Sequence, residues 1–72
     1  MTLNELKINE TGFIKDLNCA DGVKRRLLDL GLIKGTKITP VFVSPSGDPT
    51  AFEIRGSVIA IRVEDTKLIS LK

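Results

Sequence analysis

The residues that could do chemistry are few. Cys19 is the one thiol, and the chain has no histidine. Cys19 lies in the run Asp16-Leu17-Asn18-Cys19-Ala20-Asp21, where a thiol between two carboxylates has the outline of a metal-ligand set. Soft metals ask for several thiolate or imidazole ligands, so one Cys with two Asp is a thin offering. The same residues are accounted for by Asp21 as a helix N-cap and Cys19 as a small packed side chain. No metal site and no cofactor are expected. Without His, a Cys–His nucleophile cannot be built, and the carboxylates are scattered among cations, so no enzymatic activity is expected.

The second candidate is the stretch Arg25 to Ile38, RRLLDLGLIKGTKI. Its two glycines could belong to a phosphate cradle. A P-loop, however, places its glycines before a helix and ends in Gly-Lys-Ser/Thr. Here the glycines follow the apolar stripe Val23, Leu27, Leu30, and Gly35 runs directly into Thr36. Gly31 instead suits the C′ position of a helix, where φ is positive, with Leu32 at C″ folding back on Leu27. Gly35 suits the third position of a type II turn. Asp21, Gly31 and Gly35 together therefore read as a structural elbow, in which a helix capped at Asp21 stops and turns into a strand.

These residues need a scaffold. At 72 residues the chain is one domain, and it folds with a thin core because a domain of this size buries only about 60% of its unfolded surface. Its apolar content is mainly Leu, Ile and Val, without Tyr or Trp, as in a compact β-rich core. Net charge is +2, too small for a dedicated nucleic-acid stripe. No apolar run approaches a membrane span, and MTLNELKINE lacks the features of a signal peptide. A soluble, cytoplasmic protein without direct membrane insertion is expected.

The spacing predicts a capped helical turn at Thr2 to Leu6, with Leu3 and Leu6 on one face. A strand follows over Gly12–Leu17, then the helix. From Thr36 the chain reads as strands. Pro40 within TKITPVFVS marks an edge or a bulge. PSGDPT is a loop, AFEIR and SVIAIRV form a tight hairpin around Gly56, EDTKL is a short turn, and LISL closes as the last strand. Phe52, Ile54, Ile59, Ile61 and Val63 are expected on the inner side, with Phe13 also in the core. The expected fold is mainly β: a small, SH3-like, partly open barrel of about five strands with one inserted α-helix and short helical turns.

Three blocks carry a family resemblance: Arg26 to Thr36 (RLLDLGLIKGT), Pro45 to Pro49 (PSGDP), and Arg55-Gly56 through Ile61-Arg62. With the opening Leu3-Asn4-Glu5-Leu6, the sequence resembles the FeoA family of ferrous iron transport proteins across almost its whole length. It departs where the family often has Pro (Lys34), Leu (Ser46) and Ala (Thr66). The resemblance implies an SH3-like barrel with a helix inserted after the first strand. It also implies a role in bacterial or archaeal iron uptake beside FeoB, a membrane transporter with a cytoplasmic GTP-binding domain. Related domains end metal-dependent transcriptional repressors; the chain is too short to hold a winged helix as well, which favours the stand-alone accessory.

On a helical wheel Leu28 lies about 140° from Val23, off the core stripe, on the side of Lys24 and Arg25. The bland reading of these residues is a solvated helix face. The functional reading is a docking surface for the transporter or for a second copy of the chain. The loop Pro45, Ser46, Gly47, Asp48, Pro49 is the other candidate for presentation to a partner. The competing class is a small nucleic-acid-binding barrel, which normally needs aromatics on a basic face, and that class is disfavoured here.

Overall fold

The computed structural model describes Met1–Lys72. A 3₁₀ turn at Leu3–Glu5 leads to β1 (Gly12–Leu17), α1 (Asp21–Asp29), β2 (Lys37–Val43), β3 (Thr50–Ile54), β4 (Ser57–Ile61), α2 (Val63–Thr66) and β5 (Ile69–Leu71). The strands form one antiparallel sheet in the order β4-β3-β2-β1-β5, which is not closed. The expected mainly β architecture, with a helix inserted after the first strand, is what the chain adopts.

The opening turn is held from inside. The Thr2 N–H donates to Glu5 Oε1 at 2.8 Å, and the Thr2 hydroxyl reaches the same oxygen at 2.9 Å. These two bonds favour the ionised carboxylate and hold the Glu5 pKa below its ordinary value. Leu3 is fully buried beneath the turn and Leu6 packs beside it.

Pro40 sits at a bulge, not at an edge: the β2–β3 register shifts between Pro40 and Phe42, and β2 is third of the five strands. Pro40 faces Phe52, and hydrogen-bonded pairs alternate along the ladder with pairs that are not bonded. The missing N–H therefore falls where β3 asks for none, while the Pro40 carbonyl accepts the Asn9 N–H at 2.7 Å. Arg55 and Gly56 both take positive φ (52° and 84°) and join β3 to β4 as a two-residue hairpin.

The core is a cluster of Leu3, Ile14, Leu17, Leu27, Leu32, Ile38, Phe52, Ile54, Ile61, Ile69 and Leu71, drawn from every element except α2. Two expected members are outside. Phe13 is 47% exposed, because alternation along β1 gives the inner position to Ile14. Val63 is 48% exposed, because the strand ends at Ile61 and Val63 begins α2. Thr66, where the family often has Ala, is buried with its hydroxyl donating to the Val63 carbonyl at 3.3 Å. The chain ends meet at the β5 edge, where Thr2 bridges Ser70 and the Leu71 N–H donates to the Met1 carbonyl at 2.8 Å.

Candidate docking face on the first helix

The elbow is built as a Schellman stop. Leu30 is the C-cap; the Gly31 N–H bonds the Leu28 carbonyl and the Leu32 N–H bonds the Leu27 carbonyl, both at 3.0 Å. Gly31 has φ 100°, and Leu32 is buried in the same cluster as Leu27. The turn Ile33 to Thr36 closes by the Thr36 N–H to the Ile33 carbonyl at 3.0 Å, with Gly35 at φ 89° in its third position. Lys34 occupies the second position of that turn, which proline favours, and this is where the family often carries Pro.

Two details of α1 differ from expectation. The N-cap is Ala20, still extended at ψ 154°, so Asp21 is already the first helical residue and makes no capping hydrogen bond. Its carboxylate instead lies in the first turn, near the positive end of the helix dipole. Leu30 is 41% exposed: once the chain reverses at Gly31, Leu32 takes the core place beside Leu27 and leaves Leu30 at the rim.

Asp21, Lys24, Arg25 and Leu28 follow at i, i+3, i+4 and i+7, so they share one side of the helix. With Asp29 they line a shallow depression of about 420 Å³. Leu28, the apolar residue among them, is 41% exposed. Neither Lys24 nor Arg25 is in an ion pair; the chain's two ion pairs are Arg26–Asp65 at 2.7 Å and Arg62–Asp48 at 3.8 Å. The basic run thus divides: Arg26 is committed to α2, and Lys24 and Arg25 remain free beside an apolar anchor.

The loop Pro45 to Pro49 is not part of this depression. Asp48 Oδ1 accepts the Val63 N–H at 2.8 Å, satisfying an orphan donor at the start of α2 from fifteen residues away. The Ser44 N–H donates to the Pro49 carbonyl at 3.0 Å, Gly47 turns at φ 93°, and the Asp48–Pro49 peptide is cis. Ser46, where the family often has Leu, is exposed, and its hydroxyl donates to the Asp48 carbonyl at 2.9 Å. The loop is anchored through Asp48, and its exposed tip is Pro45, Ser46 and Gly47.

As for metal ligands, Cys19 is half-buried against the core, Asp16 and Asp21 are exposed, and no three His, Cys, Asp or Glu side chains converge anywhere in the chain. No helix is long and apolar enough to cross a membrane.

The sequence model of the FeoA domain matches residues 1–72. The chain belongs to the FeoA family. It is 32% identical over 71 residues to a Campylobacter jejuni protein provisionally named Fe(2+) transport protein A, covering 99% of this chain and 96% of that one. It is similar in structure to the FeoA protein of Chlorobium tepidum, with a TM-score of 0.92 and 31% identity over 99% of this chain and 68% of the other. A Stenotrophomonas maltophilia FeoA, crystallised with zinc and described as a procaryotic SH3 domain protein, superposes with a TM-score of 0.83 and 29% identity. That match covers 100% of this chain and 89% of the other. The FeoA assignment carries the SH3-like description to this open five-stranded sheet and places the chain among ferrous iron transport accessory proteins.

Proposed function

We propose that this FeoA-family chain is a cytoplasmic protein-interaction module that docks on the soluble, GTP-binding part of a FeoB-like transporter through Lys24, Arg25 and Leu28. The observation that carries this reading is an exposed leucine flanked by two cations without intramolecular partners, on a helix whose opposite side holds the core. An apolar anchor ringed by free charge supplies affinity and orientation together. The Stenotrophomonas maltophilia relative, for which a role as a ferrous iron transport activating factor has been suggested, supports the same direction. The module works by contact, without bond-making chemistry of its own. The test is binding of the full chain and of its Leu28→Asp variant to the isolated soluble part of the transporter. Binding lost in the variant, with its fold retained, supports the reading; equal binding removes it.

One observation favours the competing nucleic-acid reading. Lys34, Lys37 and Arg55 gather around Gly35 and Thr36 without ion-pair partners, and exposed Phe13 stands opposite Lys37 in the β1–β2 register. A base stacked on Phe13 would have its phosphates near those cations. Titration with a short single-stranded oligonucleotide distinguishes the two: salt-sensitive binding lost in Phe13→Ala favours nucleic acid.

A further inference from the structure

The two edges of the sheet differ. The β5 edge is three residues long and covered by the N-terminal segment. The β4 edge, Ser57–Ile61, is bare: none of the backbone hydrogen bonds made outside the helices and strands uses a group of β4. The Ile54–Ser57 pair closes the hairpin, so Ser57, Ile59 and Ile61 turn their polar backbone groups toward β3. Val58 and Ala60 therefore aim both their N–H and their C=O away from the sheet. Proteins normally blunt such an edge with Lys, Pro or a bulge. This strand reads Ser-Val-Ile-Ala-Ile, pairs with β3 without a register shift, and leaves Val58 58% exposed.

We propose that the β4 edge pairs with β4 of a second copy, antiparallel about Ile59, to form a two-fold dimer through a continuous ten-stranded sheet. The strand is self-complementary in this register. Its two outward residues lie symmetrically about Ile59, so Val58 exchanges both backbone hydrogen bonds with Ala60 of the second copy, and Ala60 does the same with Val58. Charge agrees: the paired residues, Ser57 to Ile61, carry no charge, so no cation is set against a cation within the ladder. On the outer face Val58 comes beside Ala60 of the other copy, extending the apolar row of Ala60, Ala51 and Phe42, the last 60% exposed. On the inner face a groove of about 450 Å³ lies between β4 and α1, with Leu27, Leu30, Ile59 and Ile61 among its lining. The charges on its rim include the Arg26–Asp65 pair, which is neutral as a unit. A five-residue edge covers less than the roughly 800 Å² per partner of a standard interface, so the dimer is weak and dependent on concentration. This surface is separate from the outer side of α1 and does not rest on the transporter reading.

The experiment is sedimentation equilibrium of the full chain up to about 1 mM, with amide spectra recorded across the same concentrations. The expected result is a monomer–dimer equilibrium in which the Val58 and Ala60 amides shift most. Val58→Lys should lower association by about tenfold or more. Ala60→Pro should do the same, because it removes an N–H that the intramolecular ladder does not use. If Ala60→Pro fails to fold, Val58→Lys decides alone. A chain that stays monomeric at the highest concentration overturns the proposal. So does a dimer that survives Val58→Lys, or one whose shifts map to Lys24, Arg25 and Leu28. Shifts at Val58 and Ala60 produced only by the transporter's soluble part would give the edge to that partner and also overturn it.

Discussion

Arg26 Nη2 lies 2.7 Å from Asp65 Oδ2, so the helix that carries the docking face is tied to the short helix before the last strand. Asp48 holds the same short helix at its first N–H, that of Val63. The Arg26 side chain is 59% exposed and that of Asp65 16%, which makes the pair a partly screened surface bridge worth about 1 kcal/mol or less. Asp65→Asn should therefore lower stability only slightly in urea unfolding, and less at high salt. Asp48→Ala should cost about 1 kcal/mol, as removal of a helix-end acceptor does, and Asp48→Asn should recover most of it.

The elbow separates two glycines of one helix region. Gly31 has φ 100°, and an added Cβ would meet only the Ile54 methyl at an ordinary 3.8 Å. The cost of Gly31→Val is thus conformational, roughly 1 kcal/mol or more. Gly22 lies within α1, and a Cβ there meets nothing within 4 Å. Gly22→Ala should raise stability by about 0.5–1 kcal/mol. Thermal melts of the two variants moving in opposite directions check both statements.

Leu27 and Leu28 are neighbours with opposite fates. Leu27 is 1% exposed, so Leu27→Ala should cost about 2–5 kcal/mol. Leu28→Ala should stay within about 0.5 kcal/mol. The proposed role predicts the reverse order for function: Leu28→Asp should fold and fail to support iron uptake in cells lacking the native protein. Lys24→Glu with Arg25→Glu should weaken association most at low salt, since free surface charges are screened over about 8 Å in physiological salt.

Glu5 gives a pH dependence whose sign is fixed. Its carboxylate is held below the ordinary value of 4.5, first by the Thr2 N–H and then by the Thr2 hydroxyl. Its contribution is present above the unfolded-state pKa and is lost as pH falls through the lower folded value. A carboxyl-resonance titration should place the Glu5 midpoint below 4.5. Thr2→Val, which keeps the N–H but loses the hydroxyl, should raise the midpoint part of the way back.

What could be read from the order of residues was local. Gly31, Gly35 and the hairpin at Gly56 were legible because a positive φ is a demand that glycine meets by itself; Arg55, read as the end of a strand, takes positive φ as the other turn residue. The free side of α1 was legible because helical spacing places Lys24, Arg25 and Leu28 together whatever lies opposite. The remainder depended on the fold. Leu30 has the right period for the core, yet Leu32 displaces it after the chain reverses. Phe13 is large and apolar, yet the alternation that buries Ile14 excludes it. Asp21 resembles a cap, but Ala20 stays extended in that place. Asp48 caps a helix fifteen residues away, and the groove beside β4 forms only where residues of α1, β4 and α2 come together; no local signal marks either.

The hydrogen bond from the Leu71 N–H to the Met1 carbonyl has a topological consequence. The two ends run antiparallel within one ladder, so a short Gly-Ser bridge from Lys72 to Met1 would span them without stretching either strand. The exposed peptide between Ser46 and Gly47 then offers a place to cut, leaving Asp48 attached to α2. A circular permutant opened there keeps all five strands in their present order in space while the backbone visits them in a new sequence. The domain is a ring that happens to be opened at one point, and it could be spliced into a surface loop of another protein through the same pair of neighbouring ends.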